Sequence, residues 1–390
     1  TTNKKTMIEF VKKLLNGQPV EWKMLGEIGE FVRGTGLQKS DFTETGVPAI
    51  HYGQIYTKYG NSTSETISFV SEELAKKLRK ASKNDLIIAG VSENVEDVCK
   101  CVVWKGNEEV CVSGDTFIFK HNQNADYIGH LLRTNDFLNY KKKYAVGAKV
   151  TRLQAGKLPV YKIPLPPLSV QRKIADILDK FTELKDNLNM ELNKELGLRK
   201  KQYAYYREKL LTFDQNTPRK TLGEVCQVQR GRRLTKRDLV ENGEFAVFHG
   251  GVEPIGFYNQ NNREANSTMI INVGASAGTV GYSNEKFWSS DGCFCFSHTD
   301  VLSQRFLFYF LQNIENSIKS KVRKAGIPTL DNRFVETLKI PLPPLEEQKR
   351  IVGILDQFDK LINDISEGIP AEIHAREKQF QYYREKLLSF

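Results

Sequence analysis

Apolar residues at Ile174, Ile177, Leu178, Phe181, Leu184 and Leu188 recur in steps of three and four. The same rhythm returns at Ile351, Ile354, Leu355, Phe358, Leu361 and Ile365. Each stripe predicts a long amphipathic helix, and the seven-residue interval through Ile174, Phe181 and Leu188 is that of a helix seeking a helical partner. Each helix is the other's obvious partner. The expected coiled-coil interface is therefore Ile174, Leu178, Phe181, Leu184 and Leu188 against Ile351, Leu355, Phe358, Leu361 and Ile365. Both helices follow a Pro-Pro pair, with Ser169 placed to cap the first. Ser366-Glu367-Gly368-Ile369-Pro370 predicts a kink or short gap near Gly368 in the second, and a weaker irregularity, if any, near Gly197 in the first.

Elsewhere the pattern changes. Short β-branched and aromatic runs separated by Gly, Asn and Ser predict strands at 85–89, 98–104 and 116–120, then at 245–248, 267–273, 278–282 and 293–297. A helical stretch closes each group, at about 127–144 and 303–322. The order globular, helical, globular, helical predicts an α+β protein with two mixed α/β modules.

The two helical blocks are one 51-residue segment written twice, 163–213 and 340–390, at a constant offset of 177. Both open Ile-Pro-Leu-Pro-Pro-Leu and both end Tyr-Tyr-Arg-Glu-Lys-Leu-Leu before a final Phe. A period this long marks a duplicated structural unit. The modules repeat more faintly: Leu25-Gly26-Glu27 aligns with Leu222-Gly223-Glu224, and in the same register Arg33-Gly34 meets Arg230-Gly231, Lys39 meets Lys236 and Asp41 meets Asp238. Letter-for-letter retention of the second motif, charges included, marks Tyr205, Tyr206, Arg207, Tyr382, Tyr383 and Arg384 as possible docking residues for another protein, with packing of the two copies on each other as the alternative. Antiparallel pairing of tandem copies would relate the modules by a pseudo-two-fold axis. The division read from the sequence is an N-terminal segment 1–19, modules at 20–162 and 218–339, and helical regions at 163–217 and 340–390.

A net charge of +10 and a pI near 9.1 favour an acidic partner, nucleic acid ahead of an anionic membrane. No apolar run of membrane-spanning length and no signal peptide is visible, so a soluble, cytoplasmic protein is expected. Basic residues cluster where the modules turn: Arg33 and Lys39; Arg230, Arg232, Arg233, Lys236 and Arg237; and, near the module ends, Lys141, Lys142, Lys143, Lys149 and Arg152, then Lys319, Lys321, Arg323 and Lys324. Their side chains suit phosphates and base edges, which makes double-stranded DNA the expected ligand. Tyr52, Gln54, Tyr56, Tyr144, His249, Tyr258, Asn259 and Gln260 lie nearby.

Six cysteines carry no Cys-x-x-Cys. Cys99/Cys101 and Cys293/Cys295 read as reduced core residues on strand faces, and no metal site is expected. No phosphate-binding loop, dinucleotide fingerprint or catalytic constellation appears. The two prolines of each Pro-Pro pair are flanked by leucines, unlike the Asn-Pro-Pro-aromatic element expected of an amino-methyltransferase. The chain is expected to be non-catalytic.

These features together resemble the specificity subunit of Type I restriction-modification enzymes, on the strength of the paired Pro-Leu-Pro-Pro-Leu motifs followed by Gln171 or Gln348 and the paired Tyr-Tyr-Arg-Glu-Lys-Leu-Leu motifs. The resemblance covers essentially the whole chain. It implies two target-recognition domains reading a bipartite, asymmetric DNA site, with the coiled coil as a ruler between half-sites. It also implies partners: two methyltransferase (modification) subunits and restriction/translocase subunits, through which the complex would use S-adenosylmethionine, ATP and Mg2+. This chain itself would carry no cofactor. Competing readings are a self-contained DNA methyltransferase or restriction enzyme, for which two repeats leave no room, and a coiled-coil assembly protein that binds DNA without sequence preference.

Overall fold

The structure, a computed structural model, describes residues 2–147, 149–154, 156–363 and 368–390, with side chains from Glu9 onward. The chain forms two compact units, Thr1–Met190 with Ile373–Phe390, and Glu191–Glu372.

In the first unit a five-stranded sheet runs in the order Gly29–Arg33, Thr116–His121, Leu86–Ala89, Cys101–Trp104, Ser62–Thr63, antiparallel except for the last pair. A four-stranded sheet runs Ser68–Val70, Val47–Ile50, Val110–Val112, Lys80–Ala81, with its central pair parallel. The second unit holds smaller versions of both. One is Val228–Arg230, Cys293–Phe296, Ser267–Ile271, Val280–Ser283; the other is Gly256–Tyr258, Phe245–Phe248, Phe287–Ser289, again with one parallel pair. Much of the extra length of the first unit goes into two additional edge strands and a small sheet of Ala145–Val146, Thr151–Leu153 and Val91–Ser92.

Several predicted elements come out shorter. The helical stretch at 127–144 is two helices, Ala125–Leu131 and Asn135–Tyr144, because the Thr134 hydroxyl accepts the Phe137 N–H and starts a new helix. That at 303–322 is Gln304–Asn313 and Glu315–Ser320. The strand predicted from Val98 begins at Cys101, since Cys99 sits at φ +59°, a left-handed conformation no strand accommodates. Cys99 and Cys101 therefore do not share a strand face, whereas Cys293 and Cys295 do. All six thiols are free and buried, and burial pushes Cys99 and Cys293 up to about 12.

The repeated motifs prove to be joints. Lys162–Leu165 pairs antiparallel with Glu21–Met24, and Lys339–Pro341 with Arg219–Thr221, so a two-stranded ribbon zips together the start and end of each module. Immediately after each ribbon a single helical turn buries Leu25 or Leu222 completely, and the backbone N–H of Met24 or Thr221 donates to the carboxylate of Glu27 or Glu224 at 2.5 and 2.6 Å. The glycine between them lets the turn approach other backbone: a Cβ on Gly26 would sit 3.3 Å from the Pro159 carbonyl oxygen.

The Pro-Pro pair and its glutamine fix the helix to its module. The Pro167 carbonyl accepts the N–H groups of Val170 and Gln171. The helix thus starts at Leu168, and Ser169 lies inside the first turn instead of capping it. Gln171 is buried; its Nε2 donates to the Pro166 carbonyl (2.8 Å) and Gln123 Oε1 (2.9 Å), and its Oε1 accepts the N–H of Asn124, the residue that caps the helix Ala125–Leu131. Gln348 does the same, with Pro343, Val301 and the capping Ser303 as partners, each at 2.9 Å. Two turns later Asp179 accepts from His130 Nε2 (2.8 Å), and its counterpart Asp356 from the Tyr309 hydroxyl (2.5 Å) and Arg305 Nε (2.7 Å).

The helix Leu168–Leu211 is 44 residues long and continuous through Gly197. Its repeat is two helices, Leu345–Asn363 and Ile369–Leu387, with Gly368 outside both; residues 364–367, and with them Ile365, lie outside the described residues. The predicted apolar stripe divides. Ile174 and Leu178 are fully buried in a core that also contains Ile128, Leu131, Leu387 and Leu388, so they dock the helix on its own module as well as on the other repeat. Ile351 and Leu355 do likewise among Phe306, Tyr309 and Tyr203, while Leu361 is half-buried. Phe181, Leu184 and Leu188 are instead exposed by 36, 64 and 39 %, and line an open groove of about 260 Å3 with Phe380 and Tyr383. Among the described residues the stripe positions Phe181 and Phe358 meet Tyr383 and Tyr206 of the other repeat, so in each unit the first half of one helical block lies against the second half of the other.

Candidate nucleic-acid interface

The repeated Arg-Gly positions sit over a tight turn in each unit. In the first, Ser113–Thr116 reverses the chain between two strands, with the Thr116 N–H donating to the Ser113 carbonyl. Gly34 N–H donates to the Thr116 carbonyl, and a Cβ on Gly34 would lie 2.0 Å from the Ser113 oxygen, so only glycine fits. Arg33 Nε then donates to the Gly114 carbonyl at 3.0 Å, and its Nη2 approaches Asp115 at 3.4 Å. The second unit repeats this with Ser290–Cys293. Gly231 N–H donates to the Cys293 carbonyl, a Cβ there would lie 2.1 Å from the Ser290 oxygen, and Arg230 Nε donates to the Asp291 carbonyl at 3.1 Å.

The loop that follows is held by two more repeated anchors. Leu37 and Leu234 are buried, and the carboxylates of Asp41 and Asp238 accept the N–H groups of Gln38 and Thr235 at 2.7 and 2.8 Å. Between the anchors the side chains differ: Thr35, Gly36, Gln38 and Ser40 in the first unit stand where Arg232, Arg233, Thr235 and Arg237 stand in the second. Lys39 and Lys236 are common to both.

In the first unit these parts line an open cleft of about 610 Å3, walled by Arg33, Lys39, Gln38, His51, Tyr52 and the 113–115 turn. His51 Nδ1 accepts the Gly53 N–H at 3.2 Å, and burial, aided by Lys39, lowers its pKa. The ring is thus neutral with its proton on Nε2. In the second unit His249 Nδ1 lies 3.2 Å from Ser290 Oγ and 3.4 Å from Asp291. A rim of cations, backbone polar groups, an imidazole donor and an aromatic ring can meet both phosphates and base edges.

Arg33, Lys39, Arg230, Arg232, Arg233, Lys236 and Arg237 are all exposed and belong to these two loops. Arg152 is exposed on a strand that pairs with Val91, next to Gly90, whose N–H donates to the Asp115 carbonyl; Lys149 lies in the connection just before that strand. Lys321 is exposed at the end of the helix Glu315–Ser320, and Arg323 and Lys324 are exposed on the hairpin that follows, closed by Arg323 and Thr329. Leu330 beyond it donates to Asn272, which donates to Gly292 of the second turn. Lys141, by contrast, is buried, with Nζ donating to the Glu96 and Val98 carbonyls at 2.9 and 2.8 Å, and burial lowers it to about 8. It is a structural strut and leaves the basic cluster. Gln54 is also structural, accepting the His51 N–H and donating to Ser68. The turns themselves and His51 escaped sequence reasoning, although Ser113-Gly114-Asp115 and Ser290-Asp291-Gly292 stand at the connectors' own offset of 177. The interchanged Gly and Asp hid them.

The docking candidates separate into three pairs. Tyr206 stacks on Phe358 and Tyr383 packs on Phe181, with centroids 5.6 and 5.8 Å apart, a reciprocal contact between repeats in each unit. Arg207 and Arg384 fold back over Tyr203 and Phe380. Tyr205 and Tyr382 remain exposed, by 59 and 39 %. Among the described residues no helix is long and apolar enough to cross a membrane, and no cluster of three His, Cys, Asp or Glu could hold a metal ion.

The family model described as Type I restriction modification DNA specificity domain matches residues 19–198 and 216–375. A putative type I restriction enzyme specificity subunit of Haemophilus influenzae is 31% identical, with 98% of each chain covered. The EcoR124I/EcoR124II specificity subunit of Escherichia coli is 28% identical over 98% of this chain and 97% of its own. A chain from a structural study of assembly and conformational transition in the type I R-M system superposes with a TM-score of 0.68 at 18% identity, covering 95% of this chain and 98% of that one. With the same arginine-over-turn frame in both halves and this similarity over nearly its full length, the chain belongs to the family of specificity subunits of type I restriction-modification enzymes.

Proposed function

We propose that the chain recognises a bipartite, asymmetric DNA sequence, one half-site for each unit, and holds two modification subunits and the restriction/translocase subunits around it in the cytoplasm. The observation that carries this reading is the duplicated frame with unlike side chains mounted on it: one architecture presents two different sets of groups to one kind of polymer. Base methylation, cleavage and the use of S-adenosylmethionine, ATP and Mg2+ belong to the partner subunits. Arg33, Lys39, Lys149, Arg152, Arg230, Arg232, Arg233, Lys236, Arg237, Lys321, Arg323 and Lys324 supply the basic surface. Tyr205 and Tyr382, equivalent and exposed, offer two like surfaces to two like modification subunits.

The unbroken 44-residue helix makes a rod of ~66 Å at ~1.5 Å per residue, and its length governs the unspecified spacer between half-sites. The test is a matched insertion of four residues at Gly197 and four near Gly368, followed by mapping of methylated bases in a host carrying the intact system. A rod longer by ~6 Å should widen the spacer by about two base pairs. An unchanged spacer with retained methylation removes the ruler. Methyl transfer by the purified chain alone would instead favour a self-contained enzyme.

A further inference from the structure

We infer that the repeated basic positions of the two recognition loops, Arg33 with Arg230 and Lys39 with Lys236, hold DNA phosphates, while the positions that differ between the loops read the bases. This rests on the reading of the chain as a DNA sequence reader and divides the labour within that site.

Two unlike half-sites have the sugar-phosphate backbone in common. A side chain held identically in both units cannot distinguish their sequences. Arg33 and Arg230 share one anchor: each directs Nε to the carbonyl of the second residue of the turn beneath it, at 3.0 and 3.1 Å, and each precedes a glycine that the turn admits only because it has no Cβ. With Nε spent on the main chain, the side-on fork that an arginine offers a guanine edge is no longer available, and in Arg33 Asp115 draws on Nη2 as well. The remaining Nη donors point outward, the Arg33 side chain being 68% exposed, and suffice for a phosphate oxygen.

The unlike positions sit between fixed points, so their side chains are carried at equivalent places in the two units. Leu37 and Asp41, like Leu234 and Asp238, anchor the loop from below and from its end. The first unit mounts Gly36, Gln38 and Ser40 there and the second Arg232, Arg233 and Arg237; Thr35 and Thr235 are engaged within the fold, the Thr35 hydroxyl with the Arg79 N–H and the Lys77 carbonyl and the Thr235 hydroxyl with the Asp238 carboxylate. Arg232 and Arg233 suit guanine, Gln38 suits adenine, and Gly36 leaves open space, with nothing within 4 Å of where its Cβ would be.

The experiment measures binding of the full chain, in complex with its modification subunits, to a duplex carrying its methylated site, to single-base variants of that site and to random-sequence duplex, each across a salt series. Arg33→Ala and Arg230→Ala should weaken specific and random duplexes by similar factors and lower the salt slope by about 0.9 each. Base preference in both halves should stay as it was. Arg33→Lys and Arg230→Lys should retain most of the slope, which separates charge from folding if the alanine variants lose structure. Arg232→Ala and Arg233→Ala should relax base preference in one half only. The inference is overturned if Arg33→Ala or Arg230→Ala relaxes base preference in its half-site, or if the slope does not move. A wild-type complex that binds random and methylated-site duplexes equally would instead remove the underlying reading.

Discussion

The two units are built on the same joints but lock them with different chemistry. Where the first unit ties its helix to its module by neutral His130 on Asp179, the second uses Tyr309 and Arg305 on Asp356. Where the first places Thr35 and Gly36 on its loop, the second places two arginines. The joints themselves, Gln171 with Gln348, Leu25 with Leu222 and Gly34 with Gly231, do not differ. The contrast teaches that duplication kept the joints and a few exposed positions such as Arg33 with Arg230 and Tyr205 with Tyr382, while the helix clamp and the loop side chains between the anchors went separate ways.

The largest effects should come from the glycines under the recognition arginines. Gly34→Ala or Gly231→Ala places a Cβ about 2 Å from a carbonyl oxygen and must shift the strand or the turn, costing ~3 kcal/mol in either unit. Gly197→Ala, on the open face of the long helix, should stabilise by ~0.5–1 kcal/mol. Denaturant titration with hydrogen exchange resolved by unit measures both. Equal behaviour at Gly34 and Gly197 would break the comparison.

Acid should separate the units next. Burial holds His121 at about 4 against an ordinary 6.5 and also lowers His130, whose counterpart in the second unit is a tyrosine. Both rings are neutral in the fold, whereas the unfolded chain takes up protons below pH 6.5. Stability is therefore complete above that pH and declines as pH falls; for His121 the decline runs at ~1.4 kcal/mol per pH unit towards pH 4, roughly 3 kcal/mol in all, and His130 adds to it in the same direction. Hydrogen exchange should show the first unit loosening over this range, and His121→Asn, which keeps an acceptor for the Gln123 N–H, should remove much of that dependence.

Gln171→Ala and Gln348→Ala should each cost ~2–3 kcal/mol, because each strands a capping residue's N–H and a buried proline carbonyl. Near-equal losses in thermal denaturation would sharpen the claim that these joints are interchangeable. The smallest difference should lie at the second clamp. Asp356→Ala removes a charge-assisted bond to Arg305 and a bond to Tyr309, whereas Asp179→Ala removes one bond to neutral His130. With both carboxylates more than 40% exposed, losses of ~1–2 and ~0.5–1 kcal/mol are expected in the same assay.

Much of this architecture was legible in the residues. Strands such as Phe245–Phe248 and the long helix announced themselves by period, and the duplicated motifs announced the joints without saying what they join. The purpose of Gln171 became visible only once the cap of a helix 47 residues earlier was seen against it. Periodicity records burial without naming the partner: Ile174 and Leu178 are buried in one core with residues of their own module and of the other repeat, while Leu184 at the same period stands open. Lys141 misled in the opposite way, a cation in a basic run whose buried ammonium is consumed by two backbone carbonyls. The site was half visible, as the repeated Arg-Gly could be seen and the turns beneath it could not.

The central claim is that each unit reads its own half-site from a shared frame. It is tested most directly by exchanging residues 218–339 for the corresponding module of another specificity subunit and mapping methylated bases in a host that carries the modification subunits. The account expects one half of the recognised sequence to change while the other half and the spacer stay fixed. A change in both halves, or in neither with methylation retained, would contradict it.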